Sequence, residues 1–324
     1  MNCHILYITD ENFIVQTGLS IQSLFVNNNA QFTIHIADTG ISIENKTKLK
    51  NYIECKGHRV CFYDAFNLIR QIKSMGLDMP NDTGNVSTLV RLFIINEIPK
   101  DIKKIIYIDA DTIILDDIHE LYELEFNNPI AAVLDANYDF YENNILKYTG
   151  GATYFNAGVM IINIDSFIEM LGSVNVNAFL KKNYPLADQD ILNYIFGRNY
   201  YILQPKYNAS FKYRHSHKRN IEIWVGKKFQ YDLDSLEEAS NRPVIIHFTT
   251  SLLGRPWEND SLDRNTKEWR DLLKKSIWSD FCLIEKKRTF GTILGRILYK
   301  IFPEKAFCII DHKYACFKAR RKIL

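Results

Sequence analysis

The sequence predicts an α/β fold in which a mainly parallel β-sheet is covered by helices on both faces. Short apolar runs alternate along the chain with segments of helical periodicity. The run that precedes Asp109 is continuously apolar, as in a strand buried on both sides. Acidic residues or histidine follow several of the runs, and such sheets bind their ligands beyond the carboxyl ends of the strands.

The individual elements follow from periodicity and from apolar runs. The predicted strands are 5–9, 32–38, 60–63, 104–111, 130–134, 159–164 and 243–248. The predicted helices are one after Asp10 with Ile14, Gly18, Ile21 and Phe25 on one face, and further helices at 43–55, 88–97 (with Arg91), 165–171, 176–182 and 189–196. We find no internal repeat and no low-complexity segment.

Length and composition are those of a globular protein with a sizeable core. The chain has 324 residues, of which 47% are hydrophobic and 24% charged. The six cysteines form no Cys-x-x-Cys pair, so we expect reduced thiols in a cytosolic protein. Because the start runs directly into a strand, we expect no signal peptide, and because no apolar run reaches roughly 18 residues, we expect no membrane-spanning helix.

Positive charge is concentrated at the C-terminus. Residues 285–324 hold eleven Lys or Arg and three Asp or Glu, although the net charge of the chain is only +2. We therefore divide the chain into a domain at 1–281 and a basic amphipathic tail at 282–324. Apolar residues of the tail recur at helical spacing, with Arg296 and Lys300 on another side. They are Phe290, Ile293, Leu294, Ile297, Leu298, Ile301 and Phe302.

A basic amphipathic segment of this kind predicts contact with an anionic membrane surface. We therefore expect a cytoplasmic protein that is peripheral on the inner face of the plasma membrane. Two alternatives remain for the tail: a helix packed on the domain with solvated lysines, and a homodimer contact. No nucleic-acid partner is expected.

The strongest chemical signal is Asp-Ala-Asp at 109–111. In an extended chain, residues two apart point the same way, so Asp109 and Asp111 can face one ion. Two oxygen ligands with open positions suit Mg²⁺ or Mn²⁺ that bridges a pyrophosphate. The alternatives for these two residues are solvated loop acids or a helix N-cap.

Three further motifs carry polar residues at element ends. Gly158, inside the apolar strand that follows Asn156, allows close approach of a ligand or another backbone, and the Asn156 amide offers both a donor and an acceptor. The alternative for this motif is a strand entry shaped by packing. Asp188-Gln-Asp starts a helix, where one acid can serve as a cap and leave Gln189 facing a pocket. His247 ends a strand, and Arg255 follows in Gly-Arg-Pro-Trp. A strand-end histidine is often structural, but its nitrogen would complete an O,O,N set that favours Mn²⁺, and Arg255 suits a phosphate.

Together the motifs resemble glycosyltransferase family 8, which includes lipopolysaccharide galactosyl- and glucosyltransferases and glycogenin. Four motifs occur in the family's order over roughly residues 1–280: Tyr-Ile-Asp-Ala-Asp (107–111), Phe-Asn-Ala-Gly-Val (155–159), Asp-Gln-Asp-Ile-Leu-Asn (188–193), and His247 with Gly-Arg-Pro-Trp (254–257). Thr-Asp-Glu-Asn-Phe (9–13) also resembles the family's uridine-contacting start. Two departures are Arg255, where the family usually has Lys, and a spacing from His247 that is about two residues longer.

The resemblance implies a GT-A fold and a retaining transferase that uses UDP-galactose or UDP-glucose with Mn²⁺, or alternatively Mg²⁺. It implies that Asp10 and Asn12 contact the nucleoside, that Asp109, Asp111 and His247 hold the metal, that Arg91, Asn156, Asp188 and Gln189 surround the donor sugar, and that Asp135 faces the acceptor. Ala110, Gly254 and Arg255 join the donor-binding set, and Gln189 and Asp188 are the predicted catalytic residues. The acceptor would be lipopolysaccharide, capsule or another, lipid-linked, cell-surface glycan, with a protein acceptor as the alternative.

Two other functions compete with this interpretation. A nucleotidyltransferase shares the plan of a strand followed by carboxylates, but it would carry a Gly-rich, basic N-terminal loop that this chain lacks. A non-catalytic sugar-binding or membrane-scaffold protein would retain the motifs without turnover. A UDP-hexose hydrolysis assay discriminates between binding and catalysis.

Overall fold

The computed structural model describes residues 2–74, 90–149, 153–174, 188–249 and 252–323. These residues form a seven-stranded sheet of order β3-β2-β1-β4-β7-β6-β8 and a separate two-stranded sheet. The strands of the larger sheet are β1 (Asn2–Thr9), β2 (Gln31–Asp38), β3 (Arg59–Asp64), β4 (Lys104–Ile108), β6 (Ile130–Leu134), β7 (Phe155–Asn163) and β8 (Tyr200–Ile202). The smaller sheet pairs β5 (Thr112–Ile114) with β9 (Ile245–His247).

The larger sheet is mainly parallel, as predicted. Strands β3, β2, β1 and β4 are parallel to their neighbours, and β8 is parallel to β6. Strand β7 is antiparallel to both β4 and β6. The carboxyl end of β4 therefore lies beside the start of β7, and the site is built around this point.

Helices surround the sheet. They are α1 (Ile14–Asn27), α2 (Ile43–Cys55), α3 (Ala65–Ser74), α4 (Val90–Phe93), α5 (His119–Glu123), α6 (Asp139–Thr149), α7 (Ile164–Ser173), α8 (Asp188–Phe196), α9 (Phe211–Arg214), α10 (Asn220–Val225), α11 (Leu233–Asn241), α12 (Thr266–Lys274), α13 (Phe290–Ile301) and α14 (Glu304–Ile323). Short 3₁₀ turns occur at Ile94–Glu97 and Pro205–Asn208. Polar caps begin several helices; for example, the Ser42 side chain accepts the Asn45 N–H at the start of α2.

Both faces of the sheet are buried. Along β4, Ile106 and Ile108 belong to one apolar cluster, whereas Ile105 and Tyr107 belong to another. Alternate residues of a strand point to opposite faces, so the two clusters cover the two sides of the sheet. This burial explains why β4 reads as a continuous apolar run.

The structure differs from the sequence prediction at two elements. The strand predicted at 104–111 ends at Ile108, and a second strand begins at Thr112 after a turn. The turn forms because the Thr112 hydroxyl donates to the Asp109 carbonyl (2.9 Å). In the helix predicted at 88–97, the described residues form α4 and a 3₁₀ turn, which end before Pro99. The helix predicted at 176–182 lies outside the described residues.

Helix α14 packs on the body of the protein. Its Phe307 and Cys308 are buried in a cluster with Phe211 and Trp224. Its Asp311 accepts hydrogen bonds from the Tyr138 hydroxyl and from Trp224 Nε1 (2.7 Å). This helix therefore matches one alternative for the tail, a helix packed on the domain. The boundary at residue 281 stays a prediction.

Helix α13 is anchored on one side and open on the other. Arg296 on α13 and Arg288 just before it both bind the Asp260 carboxylate, at 2.7 and 2.6 Å. Six of the seven apolar residues predicted for this helix are each at least 40% exposed, and they are Phe290, Ile293, Leu294, Ile297, Ile301 and Phe302. Within the described ranges, no helix combines the length and apolar character that a membrane crossing needs.

Candidate active site

The turn after β4 presents two carboxylates to the same space. The Asp109 N–H donates to the Gly158 carbonyl on β7 (2.8 Å), and the Phe248 N–H donates to the Asp111 carbonyl (2.8 Å). Residue Thr112 pairs with His247 in the small sheet. Backbone contacts in a turn, rather than extended strand geometry, therefore make the Asp109 and Asp111 side chains converge.

His247, the last residue of β9, completes a three-residue cluster with these acids. Its Nε2 lies 3.1 Å from Asp111 Oδ1 and 3.6 Å from Asp109 Oδ2. One ligand atom of each residue lies within 4.8 Å of the others. Neighbouring ligands of an octahedral ion about 2.1 Å away are about 3.0 Å apart. The three side chains thus fit a divalent ion bound by two oxygens and one nitrogen.

In each carboxylate, one oxygen accepts hydrogen bonds from neighbouring side chains and the other faces His247. Asp109 Oδ1 accepts from Arg91 Nη2 (2.8 Å) and from the Tyr107 hydroxyl. Asp111 Oδ2 accepts from Arg255 Nη2 (3.2 Å). Asp109 Oδ2 and Asp111 Oδ1 are left facing His247. Such second contacts orient metal-binding carboxylates.

The imidazole of His247 is oriented by Asn208. Its Nδ1 lies 2.9 Å from Asn208 Oδ1, while Asn208 Nδ2 donates to Asn156 Oδ1 (2.8 Å). Because the Asn208 amide nitrogen is committed to Asn156, its oxygen accepts the proton of His247 Nδ1. This tautomer leaves Nε2 of His247 as the ligand atom.

Gly158 makes room for the same imidazole. A Cβ at this position would lie 2.2 Å from His247 Cε1 and 2.9 Å from Asp109 Oδ2. At Gly158 we predicted close approach of a ligand or another backbone, or else a strand entry shaped by packing. The structure places the His247 side chain there, which agrees with the packing alternative. Any side chain on Gly158 would therefore displace a member of the cluster.

Opposite charges stabilise the cluster of Asp109, Asp111 and His247. Burial would raise the pKa of Asp111, but His247 and Arg255 outweigh burial and lower this pKa. Burial would lower the pKa of His247, but Asp111 and Asp109 outweigh burial and raise it.

A hydrogen-bond network extends from the cluster to Asp135. Asn156 Nδ2 and Gln189 Nε2 both donate to Asp135 Oδ2, each at 2.8 Å. Gln189 Oε1 accepts the Ala157 N–H (3.1 Å). The Gln189 amide is therefore fixed in orientation, and one acceptor position of its carbonyl remains.

Two adjoining cavities meet at the cluster. The larger, about 580 Å³, is lined by residues that include Asp109, Asp111, His247, Asp135, Asn156, Gln189, Lys212 and Arg255. The smaller, about 300 Å³, is lined by Asp10, Phe13, Thr39 and Ala110, among others. Arg91, Asp109 and Asp111 line both cavities. A ligand with two parts could therefore place its junction at the carboxylates.

Three predicted residues lie apart from the cavity linings or are not fully described. Asn12 is exposed on the turn before α1, and its N–H and amide donate to the Asp10 carboxylate (3.0 and 3.2 Å). Gly254, at φ +85°, lies against Glu258 and the arginines of the tail. The backbone of Asp188 begins α8, but its side chain lies outside the described part of the chain.

Three residues that contribute to the site were not predicted from the sequence. Asn208 and Tyr107 orient metal-cluster residues, and Lys212 lines the larger cavity. Asn208 lies in a 3₁₀ turn, and the sequence around it has no apolar periodicity that would predict this element. The role of Tyr107 could have been predicted, because in the strand predicted at 104–111 residues two apart lie on the same side, so the Tyr107 hydroxyl lies on the side of Asp109.

Comparison with known proteins identifies similar chains. The model of Glycosyl transferase family 8 matches residues 4–261. General stress protein A of Bacillus subtilis (strain 168) is 26% identical over 290 residues, covering 85% of this chain and 94% of that protein. A lipopolysaccharide 1,2-glucosyltransferase of Escherichia coli is 27% identical over 285 residues, covering 83% and 77%. The galactosyltransferase LgtC, solved with donor and acceptor sugar analogs, has a TM-score of 0.66 at 18% identity, covering 85% and 96%. The likeness in structure confirms the predicted fold.

Proposed function

The chain belongs to glycosyl transferase family 8, and from this premise we propose that it is a retaining transferase that moves galactose or glucose from a UDP-sugar to a glycan. Its membership makes it a glycosyltransferase, and GT-A enzymes of this kind use a nucleotide-sugar and a divalent metal. One observation supports the finer proposal most strongly: Asp109, Asp111 and His247 converge where two cavities meet.

We assign these three side chains as ligands of Mn²⁺, with Mg²⁺ as the alternative. The single nitrogen in the set favours Mn²⁺. When bound, the ion stabilises negative charge on the leaving diphosphate. Arg255, which already contacts Asp111, can share its guanidinium between that carboxylate and a phosphate oxygen.

The two cavities divide the donor between them in this proposal. The smaller cavity, with Asp10 in its wall, takes the nucleoside, and the larger one takes the hexose and the acceptor. Asp10 uses its carboxylate in the turn before α1, where Oδ1 also accepts the Phe13 N–H (3.1 Å). The contact of Asn12 with the nucleoside stays a prediction, because Asn12 does not line the cavity.

We favour front-side attack for the transfer itself. The acceptor oxygen forms its bond to the anomeric carbon on the face from which UDP leaves, the bond from that carbon to the phosphate oxygen breaks, and the leaving phosphate takes the acceptor's proton. A double displacement would need a carboxylate nucleophile, and the amide of Gln189 is a poor one. The remaining acceptor position of the Gln189 carbonyl can stabilise positive charge on the sugar. The catalytic role of Asp188 stays a prediction.

The acceptor and the location are further parts of the proposal. Because one relative is named a lipopolysaccharide glucosyltransferase, we propose lipopolysaccharide, capsule or another cell-surface glycan, with a protein acceptor as the alternative. We propose that α13 lays its exposed apolar side chains on the anionic inner face of the plasma membrane. Lys300, Lys305 and Lys313 are exposed nearby and would add electrostatic attraction.

A screen of UDP-sugars tests the proposed function. Purified full-length protein is incubated with UDP-galactose, UDP-glucose and other UDP-sugars, with and without Mn²⁺, and UDP release is followed by mass spectrometry. We expect Mn²⁺-dependent hydrolysis of one of the two hexose donors. Binding of UDP-sugar without any turnover would favour the non-catalytic sugar-binding alternative.

A further inference from the structure

Lys212 is a cation in the larger cavity without an anionic partner among the described residues. It lies on α9 and lines the cavity together with Asp135, Ala136 and Asn137. The other cations of the cavity wall are engaged, since Arg91 binds Asp109 and Arg255 binds Asp111. Lys212 makes no hydrogen bond or ion pair with the described part of the chain. Its Nζ instead lies over the Tyr138 ring, 3.4 Å from the centroid.

The Lys212 ammonium has lost part of its hydration. Burial lowers its pKa to about 8, although Asp311 and Asp135 oppose the shift. The ammonium is therefore still mainly protonated at neutral pH. Lys212 is half-buried. A cation that has lost part of its hydration gains from a paired anion, and a contact with an aromatic ring offsets only part of that loss.

The position of Lys212 is fixed by contacts behind the cavity wall. Tyr138, which carries the ammonium on its ring, donates its hydroxyl to Asp311 of α14. Trp224, whose ring lies 5.9 Å from the same ammonium, donates its Nε1–H to Asp311 as well. The two rings beside the ammonium are thus held in place before any ligand arrives, which favours specific binding over a mobile surface contact.

Lys212 belongs to the acceptor side of the cavity. Lys212 lines the larger cavity beside Asp135, and it is not among the residues that line the smaller cavity. In the proposed function, Asp135 faces the acceptor and Arg255 faces the donor diphosphate. An anion at Lys212 would consequently belong to the acceptor.

We propose that Lys212 is a specificity-determining residue that binds an anionic group, a carboxylate or a phosphate, carried by the acceptor glycan near the hydroxyl that is glycosylated. The inference rests on the proposed function, because that function supplies the assignment of the two ends of the cavity. It names the substrate class as acidic rather than neutral glycans.

Binding of three matched sugars tests the proposal. Full-length protein saturated with Mn²⁺ and UDP is titrated with glucose, glucuronate and glucose 6-phosphate, using calorimetry or ligand-observed NMR. UDP occupies the diphosphate-binding groups, so the anions cannot compete there. We expect at least one anion to bind tenfold or more tightly than glucose. Which anion binds better distinguishes a carboxylate-bearing from a phosphate-bearing acceptor.

Variants then test whether Lys212 causes the preference for the anionic sugar. Lys212→Gln should reduce the preference for the anion to less than twofold, and Lys212→Arg should retain most of it. Lys267→Gln, which removes an exposed lysine of α12, should behave as the unaltered protein. The affinity for UDP and the melting temperature of each variant separate a local loss of charge from a collapse of the site.

Three results would overturn the inference: equal affinity for the three sugars, no detectable binding of either anion, or an anion preference that survives in Lys212→Gln. The second result would leave Lys212 with a structural role against the Tyr138 ring. Failure of the proposed function itself has a different signature, because the protein would then bind no UDP in the presence of Mn²⁺, and the inference would fall with it.

Discussion

Replacing Gly158 with alanine should disable the metal cluster without adding polarity or charge. The new Cβ would lie 2.2 Å from His247 Cε1, whereas ordinary contact begins at 3.4 Å. The imidazole would have to retreat by about 1.2 Å, and metal–ligand distances tolerate only about 0.2 Å. Movement of β7 would not relieve the clash without disturbing the cluster, because the Gly158 carbonyl accepts the Asp109 N–H and Asp109 would move with the strand.

We expect Gly158→Ala to weaken Mn²⁺ binding by about 10- to 100-fold, the range seen when a metal ligand loses its support. This loss corresponds to about 1.4 to 2.7 kcal/mol. Titration of Mn²⁺ followed by electron paramagnetic resonance measures the affinity directly. Gly172→Ala on α7 is the matched control, since its Cβ would meet nothing within 4 Å, and it should bind Mn²⁺ normally. A folded Gly158→Ala protein with an affinity within twofold of the unaltered chain would refute the packing argument.

Three other perturbations have defined outcomes. Gln189→Ala should lower the turnover number more than donor affinity, because charge on the sugar develops mainly in the transition state; weaker UDP-sugar binding with an intact turnover number would make the assignment wrong. Asp263→Asn should lower the free energy of unfolding in urea by about 3–5 kcal/mol, because the buried guanidinium of Arg214, now 2.7 Å from Asp263, would lose its paired anion. Burial alone would raise the pKa of Asp263, but Arg214 and His215 lower it. The stabilisation by this ion pair is therefore present above about pH 4 and is lost as the pH falls further. Replacing Ile293 and Ile301 with Asp should reduce co-sedimentation of the full chain with anionic liposomes by tenfold or more, and unchanged sedimentation would remove the membrane role of α13.

The sequence predicted the sheet because its signals are local. Apolar runs such as 130–134 coincide with the strand observed there, and the acids at 109 and 111 were recognisable from the run before them. The turn that splits 104–114 into two strands was not predicted. The Thr112 hydroxyl closes it locally, but its position at the edge of the sheet also depends on the hydrogen bond from the Asp109 N–H to the Gly158 carbonyl, which is distant along the chain. Contacts between separate elements carry no periodicity.

The proposed metal-binding residues were predicted from the sequence, but the residues that orient them were not. Asp109, Asp111 and His247 stood in recognisable motifs, whereas Asn208 precedes no apolar run and gains its role only through the 2.9 Å contact with His247. Lys212 likewise reads as one basic residue among many, and only the cavity wall distinguishes it. The tail shows the same limit, since periodicity identified the apolar residues of α13 but not the packing of α14.

Turnover of the Asp111→Ala protein tests the central claim most directly. UDP-hexose hydrolysis with Mn²⁺ is compared for the unaltered chain, for Asp111→Ala, and for Asp234→Ala, which removes an exposed acid on α11. We predict that Asp111→Ala abolishes Mn²⁺-dependent turnover while the protein stays folded, because the ion loses a charged ligand that no neighbour replaces, and that Asp234→Ala is fully active. Asp111→Ala activity within about threefold of the unaltered chain, roughly 0.65 kcal/mol in barrier height, would contradict the metal-dependent transferase.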